Sequence, residues 1–294
     1  MRFLCLYCLL LAQVGCRLPG IRDPVPTALA NSRQLSQQAV AALERGQSQE
    51  AETLLAKAVA ICPADHDARR YYAETLWLRD ARPQAVAQVE EACRLDPEDT
   101  GLRVRLAEMY LALPRVELAR QSVEMAIDRN PRLEVAWAVR GRVMRAQGDL
   151  RQALADYHRA LGFSPGDRQV LGEVADVYRQ LRQPERALET IQCLAETYSP
   201  GEEPVEVLCR LGQAYAALGR YDDAVASFST AASRGTPSPQ VLCCLGEAQW
   251  RAGRGRDAVD TLRQAIEIDP RYGPSGDLLR QIELAAQATP PVRR

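Results

Sequence analysis

The sequence predicts an all-α solenoid of seven helix–turn–helix repeats, closed by one further C-terminal helix. Three observations lead there. Pro63, Pro97, Pro131 and Pro165 fall 34 residues apart and Pro200 follows at 35; after the inserted Glu202 to Pro204, Pro237 and Pro270 close two more units. A small residue in the middle of each first helix keeps the same beat at Ala39, Ala73, Ala107, Gly141, Ala175, Gly212 and Gly246. A second small residue does so in each second helix, at Ala51, Ala85, Ala119, Ala153, Ala187, Ala224 and Ala258. Self-similarity at a fixed period of this size marks a helical repeat array.

The chain divides in order as follows. Met1-Arg2 is a short positive start, and Phe3 to Val14 is an apolar run of about a dozen residues, too short to span a bilayer as a helix. Residues 1–15 read as a signal peptide of lipoprotein type. Val14-Gly15-Cys16 resembles the end of a bacterial lipobox, although Gln13 stands where that motif has an aliphatic residue. The resemblance implies lipidation of Cys16 and anchorage to a membrane surface, with ordinary cleavage, an uncleaved anchor or an incidental leader as the alternatives. Residues 16–31 carry Pro19, Gly20, Pro24 and Pro26 without periodicity and are expected to form an extended tether, with Asn31 or Ser32 capping the first helix.

The seven repeats then run over 32–65, 66–99, 100–133, 134–167, 168–201, 205–238 and 239–272. The sixth shows their logic. Leu208, Leu211, Gly212 and Tyr215 lie at i, i+3, i+4 and i+7, one stripe of a helix. Gly219 ends that helix, and Ala224, Phe228 and Ala231 form the facing stripe of the next. Gly212 and Ala224 let the two axes approach, and Pro237 stops the pair. One such hairpin cannot bury its apolar face alone, so neighbours must stack to complete the core. Pro114 in the third repeat and Pro184 in the fifth stand at or before the start of a second helix, where a missing N–H is expected to be tolerated. Within 273–288, Leu278, Leu279, Ile282 and Ala286 give one apolar side of a capping helix, and 289–294 form a tail expected to be disordered.

Residues 134–167 carry the motif most fully, with Trp137, Gly141, Gly148, Ala153, Tyr157, Ala160 and Pro165. This pattern resembles the tetratricopeptide repeat (TPR) family, with its consensus W-x2-L-G-x2-Y, A-x3-F-x2-A and P. The resemblance implies a right-handed superhelical solenoid of non-catalytic, protein-binding type, of the bacterial exported or lipoprotein kind. It also implies a concave groove lined by the first helices, on a stripe one residue round from the core stripe. Carried over repeat by repeat, the main groove residues are Arg70, Glu74 and Trp77, then Glu108, then Arg142 and Arg145. Asp176 and Arg179, Gln213, and Glu247 with Trp250 complete the set. Lesser positions on the same stripe include Arg33, Asp67, Val104, Ala138, Cys209 and Cys243. Arg142, Arg145 and Arg179 are expected to form a central basic patch, unless they simply pair with acids such as Glu108 and Asp176. Trp77 and Trp250 are the candidate aromatic anchors. Groove asparagines and lysines of the family's carboxylate clamp are missing, since asparagine occurs only at 31 and 130 and lysine only at 57.

Composition narrows the chemistry. Net charge is −1 across 294 residues, which gives no global attraction to nucleic acid. Cys5, Cys8 and Cys16 lie in the leader; Cys62, Cys93, Cys193, Cys209, Cys243 and Cys244 are scattered over helices and are expected to be free, mostly buried thiols. His66 and His158 sit in no recognised triad or metal spacing, and there is no P-loop, G-x-S-x-G or dinucleotide fingerprint. No catalytic, cofactor or metal site is therefore expected. The reading is a binding scaffold at the cell envelope, in the periplasm or anchored to the outer membrane, that takes a peptide or helix in its groove. The alternatives are a recruiting module for a separate envelope enzyme such as a glycosyltransferase or hydrolase, a secreted form, and a cytoplasmic adaptor.

Overall fold

The computed structural model describes residues 24–288 apart from 235 and 237. The expected signal peptide, Cys16, residues 16–23 of the expected tether and the expected tail at 289–294 lie outside the described residues. Among the described residues there are fifteen α-helices and no strand. The chain divides between Arg115 and Val116 into two compact units.

The first unit holds α1 (Pro24–Glu44), α2 (Ser48–Ile61), α3 (His66–Leu78), α4 (Arg82–Leu95) and α5 (Thr100–Ala112). Helix α1 corrects one expectation: it starts at Pro24, so 24–31 are helix rather than extended tether. Prolines suit a first turn, whose N–H groups have no partner in the helix anyway. Nor is Ser32 a cap. It is buried within α1, and its Oγ donates to Asp65 Oδ2 at 2.7 Å. Asp65 in turn caps α3, its Oδ1 accepting from Ala68 N at 3.2 Å. One carboxylate thereby ties the first repeat to the start of the second. Ala39, Ala42, Ala51 and Leu55 form the local core with Tyr71 and Tyr72 against it.

The second unit holds α6 (Val116–Arg129), α7 (Glu134–Ala146), α8 (Leu150–Phe163), α9 (Arg168–Gln180), α10 (Pro184–Glu196), α11 (Val205–Ala217), α12 (Tyr221–Ser233), α13 (Pro239–Arg251), α14 (Gly255–Ile268) and α15 (Gly273–Ala288). Within it α7 packs on α8, α9 on α10, α11 on α12 and α13 on α14, each pair meeting through the mid-helix small residues. A Cβ added at Gly141 would stand 2.6 Å from Tyr157 Cε1, one at Gly212 2.7 Å from Phe228 Cζ, and one at Gly246 2.8 Å from Leu262 Cγ. Where the small residue is Ala, the residue 16 further on is aliphatic: Leu55 after Ala39, Val89 after Ala73, Ile191 after Ala175. The pair holds its volume roughly constant, as close packing requires.

Six of the seven first helices end in the same two-bond motif. The residue in the left-handed turn donates to the carbonyl three back, and the next N–H donates to the carbonyl five back, the Schellman pattern. Gly148 N reaches Arg145 O at 3.0 Å and Asp149 N reaches Met144 O at 2.9 Å. Gly46, Gly219 and Gly253 repeat this with positive φ, and Asp80 (61°) and Arg182 (57°) occupy the same place without being glycine. The third repeat puts Pro114 there. Arg115 N still reaches Tyr110 O at 2.8 Å, but proline has no N–H for the other bond. The expected tolerance therefore holds for Pro184, which is in the first turn of α10, and not for Pro114, which sits at a helix end where six other repeats use that donor.

Helix α15 covers the last hairpin. Ile282 is buried against Ala258 and Leu262, with Leu278, Leu279 and Trp250 packed around them. Arg280 and Glu283 stay exposed, as the outer side of a terminal cap requires.

Candidate protein-binding groove

In the first unit, the predicted groove residues on α3 and α5 meet through a residue the sequence reading passed over. Arg105 sits next to the predicted stripe, and its Nε and Nη2 donate to the two oxygens of Glu74, each at 2.7 Å. Its Nη1 reaches Glu108 Oε2 at 3.3 Å. The bond to Glu74 raises the Arg105 pKa above its usual value. Trp77 is half-buried beside this fork, with the Arg82 and Arg105 guanidinium carbons 5.4 and 5.7 Å from its ring centroid. Arg70 pairs with Asp67 at 3.0 Å and lines a cleft between α1 and α3 with Arg33 and Ser36. Val104 is buried, so it belongs to the packing rather than to the groove surface.

In the second unit the inner helices are α7, α9, α11 and α13. Arg145 is ion-paired to Glu173 on α9. Asp176 takes Arg210 of α11 at 3.1 Å and, at 3.8 Å, Arg179 of its own helix. Arg210 also donates to Gly172 O at 3.1 Å and to Glu206 at 2.9 Å. Arg142 is half-buried on α7 and also has an interaction partner. The arginines expected as a basic patch are thus threaded into an alternating belt of acids and bases. Ala138 is buried beneath them. Glu173 and Arg210 were missed because each stands one residue beyond the predicted stripe. Their signal in the sequence was charge opposite in sign to a residue near one period away.

Three clefts open on this inner side: one of about 360 Å³ between α9 and α11 is walled by balanced charges, Arg145 and Arg210 with Glu173 and Glu206, and two more lie beside it. One, of about 290 Å³, lies between α9, α10 and α11, with Ala187, Ile191 and Ala214 on its floor and Arg179, Arg182 and Arg210 around it. The other, of about 270 Å³, lies between α11 and α13 and is bounded by Gln213, Ala217, Tyr221, Glu247 and Arg251. Gln213 faces both. Arg251 pairs with Glu247 at 3.0 Å. Trp250 instead packs, half-buried, on the cluster of Ala258, Leu262 and Ile282 that the capping helix completes.

Elsewhere among the described residues, the chemistry-bearing groups gather at one place. His66, Asp96 and Asp99 bring one ligand atom each within 4.8 Å of one another, an arrangement the linear spacing did not reveal. Asp99 Oδ1 is occupied capping α5 through Leu102 N at 3.0 Å, and Asp96 Oδ1 accepts from Glu98 N at 3.1 Å. His158 meets Tyr178 Oη at 3.1 Å. All six cysteines among the described residues are free; Cys62 and Cys93 are buried, whereas Cys193 is exposed. Burial pushes the Cys93 and Cys244 thiols up to about 11, away from nucleophilic use. Among the described residues no helix is long and apolar enough to cross a membrane.

Comparison with known proteins agrees with this architecture. The chain is 24% identical over 194 residues to the BBSome complex member BBS4 of Bos taurus, covering 66% of this chain and 37% of that protein. It spans 37%, 42% and 26% of the curated relatives it matches, less than two thirds of each. Among solved structures, PilW, described as a widely conserved type IV pilus biogenesis factor, aligns with a TM-score of 0.67 at 16% identity, over 73% of this chain and 98% of that one. YrrB, described as a TPR protein with an unusual peptide-binding site, aligns with a TM-score of 0.56 at 18% identity, over 65% of this chain and 97% of that one. The tetratricopeptide repeat model matches residues 36–100, 82–133, 139–201 and 209–272, well over half of the sequence. With the recurring small residues, the Schellman turns and the stacked hairpins, this places the chain in the tetratricopeptide repeat family, a fold of protein-binding scaffolds.

Proposed function

We propose that this protein is a non-catalytic scaffold held at the bacterial cell envelope, gathering a segment of a partner protein along the inner side of α9, α11 and α13. The observation that carries the binding reading is the pair of open clefts that Gln213 faces. Apolar floor atoms and charged rim groups stand side by side in them, unfilled by any side chain of the described residues. Such concave sites are where helical solenoids take extended or helical segments. YrrB's described peptide-binding site lies on a comparable fold. The envelope reading rests on the apolar leader and on Val14-Gly15-Cys16, and PilW's described part in pilus biogenesis is compatible with it. Nucleic acid is not expected as a partner, given the net charge of −1.

The test is a photocrosslinking residue at Gln213 in host cells, run alongside Cys16→Ser. A discrete protein crosslinked at Gln213, and not from a matched residue on the outer side of α10, supports groove binding. A blank at Gln213 with crosslinks from the outer side overturns it. Loss of membrane fractionation and of the mass of an acyl group in Cys16→Ser supports the anchor, and unchanged fractionation and mass refute it.

A further inference from the structure

The cleft between α9, α10 and α11 differs from the rest of the groove in what surrounds it. Its floor is apolar, built from Ala175, Ala187, Ile191 and Ala214, because the residue 16 after Ala175 is Ile191 and not the aromatic found in the fourth and sixth repeats. Its rim carries Arg179, Arg182 and Arg210 against the single carboxylate of Asp176. Arg210 and Arg179 share that carboxylate, whereas the exposed Arg182 has no ion pair among the described residues. Elsewhere on this inner side arginine and acid alternate; here, with Glu206 counted as the second carboxylate on Arg210, three arginines face two acids and cations exceed acids by one.

Arg182 is also in an unfavoured place. It holds φ at 57°, the left-handed turn that four other repeats give to glycine. Aspartate at the equivalent Asp80 is among the residues that tolerate this conformation, but arginine is not. The backbone is strained to put a guanidinium at the edge of an apolar cleft, and such retained strain points towards a functional demand.

We infer that this cleft, as one subsite of the groove reading above, receives an aliphatic or aromatic side chain from an acidic segment of the partner. The flanking Asp or Glu residues of that segment pair with Arg182 and Arg179. The apolar side chain gains by leaving water against the alanine and isoleucine floor. The carboxylates add charge-assisted bonds that guanidinium forks suit, and their sign matches the local excess. A basic segment meets repulsion at the same rim, which makes the cleft selective as well as attractive.

The experiment pans a phage-displayed random dodecapeptide library on the full chain, then measures fluorescence anisotropy of the enriched peptides. The inference expects Leu, Ile or Phe with Asp or Glu within four residues on either side. Arg182→Gly should weaken those peptides about tenfold, the order of one charge-assisted bond, while its melting midpoint stays level or rises because glycine relieves the turn. Lost binding with a preserved midpoint separates the site from the fold. Enrichment of basic or wholly polar peptides, no enrichment, or affinity untouched by Arg182→Gly overturns the inference. If the Gln213 crosslink described above survives any of these, the broader groove reading stands and only the acidic-partner chemistry is lost; if both fail, the groove reading falls with it.

Discussion

Individual residues carry much of the specification in this chain. Gly141 faces the ring of Tyr157, which is fully buried and cannot swing aside. Replacing Gly141 by Ala gains roughly 1 kcal/mol of helix propensity, but overpacking a fixed ring costs about 1–3 kcal/mol. The clash should win, so Gly141→Ala is expected to lower stability to denaturant. Gly141→Ala/Tyr157→Leu should recover most of the loss, since Ala39 and Leu55 already live with that combination; failure to recover would show that the two sites are not one packing unit. Nearby, Asp156 is buried and takes Arg140 Nε at 2.9 Å and Nη2 at 2.5 Å, with Gln152 Nε2 adding a third bond at 3.1 Å. Asp156→Ala strands the Arg140 guanidinium, which also stacks with its carbon 4.4 Å from the Trp137 centroid. A loss of about 3–5 kcal/mol is expected by chemical denaturation. Thiols give the pH arm. The pKa values of Cys93 and Cys244 are raised to about 11 in the folded chain, so unfolded thiols ionise first. Their stabilisation is complete below the ordinary thiol range and is lost as pH climbs towards 11, a decline that Cys93→Ala/Cys244→Ala should flatten. At pH 8 a maleimide should label exposed Cys193 ahead of both, as peptide mapping would show.

At the scale of elements, the helix pairs were legible because two small residues per repeat can be read off any line of sequence. What escaped the reading was governed by neighbours rather than by period. The proline-rich stretch from Pro24 reads as a tether by composition, yet helix N-termini accept prolines, and α1 begins there. The groove's ion pairs join residues 31 apart (Arg105 and Glu74), 28 apart (Arg145 and Glu173) and 34 apart (Arg210 and Asp176). No fixed offset selects such pairs; long side chains on adjacent helices do. The end of α5 makes a further test. Pro114→Gly restores an N–H to a turn that has one in six other repeats and removes a ring that opposes positive φ. Glycine loosens the unfolded chain, but the mismatch of proline with its native turn is the larger effect. The denaturation midpoint should therefore rise, by an amount on the order of 1 kcal/mol; a fall would mean that the turn at 114 is built to suit proline.

On the scale of the whole molecule, stability is a sum over neighbours, with no single centre. Local cores recur in each unit, and the division between Arg115 and Val116 falls beside Pro114. Deleting residues 273–294 removes Ile282 and the leucines that cover Leu262, itself fully buried. Hydrogen exchange should then accelerate through α13 and α14 while α7 and α8 keep their protection. Uniform acceleration along the chain would instead argue for one cooperative block. The repeats follow from periodicity and the family from the residues that fill it, Trp137, Gly141 and Tyr157 among them, whereas the proposed partner chemistry rests on an imbalance of charge around one cleft, which only the folded chain assembles.

The matched pairs inside the hairpins have a consequence for descent and for engineering. A glycine facing an aromatic ring, as at Gly141 and Gly212, and an alanine facing an aliphatic chain are two matched inserts, and the seventh repeat stands between them with Gly246 facing Leu262. The glycine–leucine pair of the seventh repeat is the step through which one insert can pass into the other without overfilling the hairpin. Anyone averaging these seven units column by column into an idealised one must therefore inherit the two positions together, because an alanine facing an aromatic ring is the one combination that none of the seven holds.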